Sequence, residues 1–242
     1  MKDIASKTAN LYKLIWQKER DDSPPRRWHF SAMQEVIPEA IVKGSLGIEL
    51  GSGCGFDTRI MAQNYPSTKI VSLELSEGIF KTKNITSEFK NAMLIQGSVL
   101  DIPVKSGVFD FAYSFGVIHH TCSPQKGLSE IARVLKKDAA AYLYLYEDHS
   151  DNLFKKNALM IISLIRVITT RVSPKVLYAL CFLLSPLVVL LFSCPARLLT
   201  LFKATRTLAS MIPFNFGTHP FSLTADLYDR FGAPIEYRYN KK

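Results

Sequence analysis

At 242 residues the chain is long enough for one large domain with an appendage, and for a full buried core. Its net charge of +9 lies entirely in the last 90 residues: Met1–Asn152 carries 18 Lys/Arg against 18 Asp/Glu, and Leu153–Lys242 carries 12 against 3. Cys54, Cys122, Cys181 and Cys194 show no paired spacing, which argues against a disulfide framework and for a reducing, cytosolic compartment; residues Met1–Lys7 lack the apolar core of a signal peptide.

Ile4, Leu11, Leu14, Ile15 and Trp16 share one face of a predicted helix over Ile4–Glu19, which Ser23-Pro24-Pro25 stops. A second helix is expected from about Trp28 to Val36, ending before Pro38. Trp28 and His29 either line a pocket or pack in the core.

From Leu46 the pattern alternates. Strands are expected at Leu46–Leu50, Lys69–Glu74, Met93–Gln96, Phe109–Ser114 and Ala140–Tyr146, with helices at Phe56–Asn64, Glu77–Phe89 and Pro124–Leu135. The strands are near-continuous apolar runs, as in a parallel sheet buried on both faces. The fold class is therefore α/β, a doubly wound, mostly parallel Rossmann-like sheet with helices on both faces, followed by an apolar helical appendage. Ligands in such sheets bind beyond the carboxyl ends of the strands, and Glu49, Glu74, Ser98 and Ser114 all fall on that rim.

The first strand runs into Gly51-Ser52-Gly53-Cys54-Gly55, a turn in which glycine reaches φ > 0 and can expose backbone amides to a ligand. Glu74 ends the next strand 19 residues after Gly55, the position of a ribose-binding carboxylate. Dinucleotide binding is the competing assignment, but its last small position falls on the bulky Phe56.

This turn resembles the S-adenosylmethionine site of class I methyltransferases. The resemblance continues through Gln96-Gly97-Ser98-Val99-Leu100-Asp101-Ile102-Pro103, Phe109–His120 and Ile131–Lys136, blocks similar to those of the ubiquinone and menaquinone methyltransferase branch. It implies S-adenosylmethionine as cofactor. Gly51, Ser52 and Gly53 would pass their amides beneath the methionine moiety, and Glu74 and Leu75 would meet the ribose and its surroundings. Ser98 and Val99 would lie at the adenine, Ser114 on the same rim, and Glu49 would orient the loop, approach the amino group, or cap the turn's amides.

Two departures stand out. Ser98 replaces the family's usual acidic residue, leaving it either an adenine contact or a plain turn residue. Lys136-Lys137-Asp138-Ala139 replaces a Pro-Gly-Gly turn before the fifth strand.

Methyl transfer from a sulfonium needs alignment more than a catalytic triad, but an oxygen or carbon acceptor is helped by a base. His119 and His120, just past the fourth strand, are the catalytic candidates, with packing as the alternative role; no metal site is expected. Ser114-Phe115-Gly116-Val117 is not the Asn/Asp-Pro-Pro-Tyr motif of enzymes that methylate base amino groups. Nucleic acid is therefore a disfavoured partner, since the cations also lack interleaved stacking aromatics.

Val176–Ala196 is 21 residues without a charge, interrupted by Pro186 and flanked by Lys and Arg on both sides. Pro186 should kink or split it, and cations on both flanks disfavour a simple crossing. Residues 155–206 are expected to lie on a membrane surface, or to form a soluble helical lid, with a small or lipid-like acceptor beneath. A catalytically silent membrane-surface module with this fold is the alternative function.

The expected domains are a cap over 1–45, the cofactor domain over 46–150, the apolar insertion over 151–216, and a segment over 217–242 returning to the catalytic domain. Phe221–Phe231 resembles a stretch that docks near the catalytic rim in relatives. Relatives continue past a motif like Ile235–Tyr239 into a helix and two strands, so either the sheet is short by that hairpin or the sequence is a fragment.

Overall fold

Five short apolar runs form one fully parallel sheet in the order β3-β2-β1-β4-β5 in the computed structural model, which describes residues 2–18, 24–214 and 222–240, and side chains among these except 2–3 and 24–28. Trp28, put forward as a pocket residue, has its side chain outside the described set. The chain divides into two units: Met1–Tyr146 with Ile235–Tyr237, and Glu147–Pro234 with Arg238–Lys242.

In the first unit, α1 (Lys2–Lys18), α2 (Pro24–Val36) and α3 (Glu39–Val42) precede β1 (Leu46–Leu50). Then follow α4 (Phe56–Asn64), β2 (Lys69–Glu74), α5 (Gly78–Ile85), β3 (Ala92–Gln96), β4 (Phe109–Phe115), α6 (Pro124–Val134) and β5 (Leu135–Tyr144). β2 and β3 are laid down on one side of β1, and β4 and β5 on the other. The strand order thus reverses between β1 and β4, which opens a crevice at their carboxyl ends.

Side chains alternate across the sheet as a strand requires. Ile48, Leu50, Val71, Leu73 and Ala112 pack toward Ile131 and Val134 of α6 on one face. Ile70, Phe111 and Tyr113 pack with Met33 of α2, Ile37 just past its end, and Met61 of α4 on the other. Residues 24–42 therefore belong to the core of this unit rather than to a separate cap. Gly47 pairs with Phe111 across β1 and β4, and a Cβ at Gly47 would lie 2.1 Å from Phe111 Cζ. Gly47→Ala should cost at least about 1–3 kcal/mol through overpacking, read as a lowered melting temperature.

Several boundaries differ from expectation. α2 begins at Pro24, because proline's fixed φ and missing N–H suit a first helical turn. α5 ends at Ile85, with Thr86 Oγ1 and its amide both donating to Thr82 O. β5 starts directly from α6, and a register shift carries the pairing from Phe109↔Leu135 to Phe111↔Ala140. The Lys136–Ala139 stretch is that bulge. Asp138 takes φ 62°, and Lys136 Nζ donates to Asp110 Oδ1 at 2.7 Å.

The second unit is helical: α7 (Leu153–Thr169), α8 (Pro174–Val188), a π-helical turn (Val189–Ser193), α9 (Cys194–Thr200), α10 (Arg206–Met211) and α11 (Leu223–Gly232). Pro186 does not split its helix; Pro174–Thr200 runs on as one element, with the π turn directly after the proline taking up the mismatch. α11 packs against α7 and α8, with Tyr178 and Tyr228 edge to face at 5.4 Å. α7 and α8 present the faces that α11 buries, and Ile235–Tyr237 clusters with the sheet of the first unit. Phe221 lies outside the described residues.

Candidate active site

The glycine turn is drawn onto the end of β2. Gly51, Gly53 and Gly55 take φ of 81°, 58° and 79°, values that a side chain would strain. Gly51 N and Ser52 N both donate to Leu73 O, at 2.7 and 3.1 Å, and Gly53 N donates to Glu74 Oε2 at 2.9 Å. This corrects the expectation that these amides face a ligand: each already has an acceptor within the protein. Space is equally filled, since a Cβ at Gly51 would meet Val117 at 2.3 Å and one at Gly53 would meet the Trp16 ring at 2.7 Å.

Glu74 is 7 % exposed and aims at the turn, with Oε1 accepting from Ser76 N at 2.8 Å. Burial raises its pKa, and the Ser76 and Gly53 donors hold it back. A carboxylate that receives backbone amides on two sides is fixed in orientation and accepts only, which suits a neighbouring diol. Leu75, 41 % exposed beside it, offers apolar surface.

Glu49 does not reach the rim. It is buried, with Oε2 accepting from Thr58 Oγ1 and, at 3.0 Å, from Ser72 Oγ, so it ties β1 to α4 and β2. Burial, with the nearby Asp57 carboxylate, pushes its pKa up to about 8. The folded state therefore holds a proton that the unfolded chain releases near 4.5. The associated stability is full below that value and is lost as pH rises toward about 8. In Glu49→Gln, which cannot ionise, the fall in melting temperature between pH 5.5 and 8.5 should shrink.

Ser98 Oγ accepts from Leu100 N at 3.1 Å, and Ser98 O from Asp101 N, closing a tight turn that also buries Val99. Ser114 Oγ donates to Leu50 O at 2.9 Å, holding β4 against β1 at the point where the glycine turn begins. These two hydroxyls shape the rim from below.

His119 and His120 form a 3₁₀ turn after β4. Both are buried, with ring centroids 4.2 Å apart, and Tyr146 lies 4.0 Å from His119. His120 Nδ1 is 2.9 Å from Ile235 O. A carbonyl only accepts, so Nδ1 carries the proton, and in the neutral ring Nε2 is the basic nitrogen. The same returning segment donates Tyr237 N to His119 O at 2.9 Å. His29 is also at the rim, stacked on Phe115 at 4.0 Å and 3.5 Å from Asp57 Oδ2.

Tyr12 and Trp16 went unassigned to the site by sequence. Trp16 lies on Gly53 and Gly78, and Lys81 Nζ donates to Trp16 O at 2.7 Å. Lys13 and Glu77 add a 2.5 Å ion pair between α1 and the start of α5. Tyr12 stacks on Trp16 at 6.0 Å and reaches His120 at 5.5 Å. One helical turn of α1 thus links the glycine turn to the histidines. Its i, i+4 spacing was the signal, indistinguishable in sequence from ordinary core packing.

In the second unit, Glu147, His149 and Asp151 each bring one potential ligand atom to within 4.8 Å of the others. Burial holds the His149 pKa low, and Lys155, Arg238 and Arg230 add to that against the pull of Glu147.

Residues 48–143 match the family described as a methyltransferase domain. Among curated proteins, a chloroplast methyltransferase of Arabidopsis thaliana, named as uncharacterised, is 26 % identical over 135 residues, 52 % of this chain and 38 % of its own. A tRNA (carboxymethyluridine(34)-5-O)-methyltransferase of Saccharomyces cerevisiae is 31 % identical over 94 residues, 39 % and 32 % of the two chains. A 2-methyl-6-phytyl-1,4-hydroquinone methyltransferase of Oryza sativa is 27 % identical over 96 residues, 40 % and 29 %. The chain spans about a third of the length of these relatives. The matched span runs from β1 into β5 and includes the glycine turn, Glu74 and both histidines. Over residues 48–143, two fifths of its length, this chain therefore matches the methyltransferase-domain family on a parallel Rossmann-like sheet.

Proposed function

We propose that the chain transfers a methyl group to an oxygen or carbon of a small, hydrophobic acceptor held against the aromatic rim of the sheet. The observation that carries this is the succession of rings from the glycine turn to the end of β5: Trp16 on Gly53, Tyr12 on Trp16 and near His120, then His119 against Tyr146. Such a wall offers flat apolar surface with few fixed polar groups, which selects for a planar or greasy acceptor. The rice relative's name specifies a phytylated hydroquinone, an acceptor of that chemistry.

The donor set fits an adenosyl group. Glu74 would accept from the ribose hydroxyls, Leu75 would lie along the nucleoside, and the Ser98–Val99 turn would border the adenine. When bound, S-adenosylmethionine supplies a methyl on a positively charged sulfur whose leaving group departs neutral. The protein's contribution is then alignment and exclusion of water. Trp16 and Tyr12 close the turn from above, and aromatic faces favour a cationic centre nearby. His120, its Nδ1–H anchored on Ile235 O, would take the acceptor's proton at Nε2. His119, fully buried, would position it.

Incubation of the full chain with radiolabelled methyl donor and a total lipid and metabolite extract should place label in the organic-soluble fraction. The yeast relative acts on tRNA by its name, which keeps an RNA acceptor as the second reading. Label confined to RNA would replace the first reading with that one, and label nowhere would leave a silent module.

A further inference from the structure

The helices of the second unit are apolar outward as well as inward, unlike those of a soluble bundle, and their polar side chains are bonded on the inner side. On the inner side of α7, Arg166 Nε and Nη2 donate to Arg230 O at 2.9 and 2.7 Å, and Thr169 Oγ1 donates to Phe231 O at 2.6 Å. These bonds satisfy carbonyls in the last turn of α11 that a helix end leaves open. On α8, Ser185 Oγ meets Thr224 Oγ1 at 2.9 Å, and in the π turn Ser193 Oγ donates to Phe214 O at 2.6 Å. Outward, Leu164, Ile168, Leu183 and Leu190 stand 65, 68, 72 and 66 % exposed, and aliphatic neighbours extend the surface along α7, α8 and α9. Water penalises a continuous apolar face larger than a few hundred Å². Hydrocarbon does not, provided every polar group is satisfied inside.

The charges identify the occupant. Leu153–Ala225 contains no acidic residue. The exposed cations sit at the helix ends: Lys156 at the start of α7, Arg171 and Lys175 at the α7–α8 junction, and Arg197, Lys203 and Arg206 from α9 onward. Lys and Arg bordering aliphatic surface are placed to meet anionic head groups. Depth follows from length. Pro174–Thr200 has 27 residues and could cross a bilayer alone. α7 has 17 residues, about 26 Å including Lys155 and Lys156, against a hydrocarbon thickness of about 30 Å. Both helices pack on the same α11, which buries Asp226 and Asp229, so they share one level.

We propose that α7, α8 and α9 are immersed in one leaflet of an anionic lipid bilayer, axes in the membrane plane, with aliphatic faces toward the acyl chains and cations at the head groups. The inference rests on packing and charge in the second unit alone and is independent of methyl transfer.

The test is flotation of the full chain, made without detergent, with vesicles of phosphatidylcholine alone or mixed with phosphatidylglycerol. The chain should float with both, more completely with the anionic vesicles, and should stay bound through a high-salt wash. Leu164→Glu with Leu183→Glu changes only exposed positions. The pair should lower the floated fraction at least about tenfold, since each charge opposes entry into hydrocarbon, while the variant's melting temperature is retained. Externally added trypsin should still cut the vesicle-bound chain at Arg171 or Lys175. Failure to float, release by high salt, or unchanged flotation of the double variant would overturn immersion. Protection of Arg171 and Lys175 inside sealed vesicles would overturn the in-plane arrangement in favour of a crossing.

Discussion

Glu74→Ala is expected to weaken S-adenosylmethionine binding by at least about 100-fold. The substitution removes two effects together. A ribose diol loses charge-assisted acceptors, each contributing about 1.5–3 kcal/mol, and tenfold in affinity corresponds to about 1.4 kcal/mol. The Gly53 and Ser76 amides also lose their acceptor, so the turn is no longer held to the end of β2. Glu74→Gln keeps one carbonyl oxygen and should bind more weakly than the parent but more tightly than the alanine variant. Titration calorimetry gives the order, and a thermal melt separates lost affinity from lost folding. Because burial raises the carboxyl pKa while hydroxyl donors favour the carboxylate, affinity in the parent should rise with pH and this dependence should vanish in Glu74→Gln.

His120→Ala should lower kcat by about 10²–10⁴-fold, the range for loss of a positioned base, and leave the donor's Kd within about twofold. The pH–rate profile distinguishes a base from a packing residue, since the limb reporting an essential base should disappear in the variant. His119→Ala makes the contrast: a fully buried ring between His120 and Tyr146 is removed, and the loss should appear chiefly as a lower melting temperature. Equal pH profiles for the parent and His120→Ala would remove His120 from the chemistry.

The alternation of apolar runs with helical patterns was legible because a doubly buried parallel sheet imposes it, and the strands from Leu46 and Lys69 lie where those runs predict. The glycine turn was legible in position but not in use. Which way an amide points depends on the neighbouring strand, and Leu73 O and Glu74 claim the amides that appeared available to a ligand. Glu49 and Glu74 look alike in sequence, each closing a strand. Thr58 and Ser72 draw one inward, while Gly53 and Ser76 hold the other against the turn. Long-range partners explain the remaining differences. The Ile235 carbonyl that fixes the His120 tautomer is 115 residues away, and no local pattern announces it. α11 reads as an ordinary amphipathic helix, and its sequence does not say that α7 and α8 supply the faces it packs on.

As proposed, Glu74 and the ring wall beside the turn form a donor site in this chain. Titration of the intact protein with S-adenosylmethionine and with S-adenosylhomocysteine tests it most directly. Saturable binding of both at one site per chain, with a change in tryptophan fluorescence as Trp16 responds, is the predicted result. A folded protein that gives no binding heat with either compound would contradict the account.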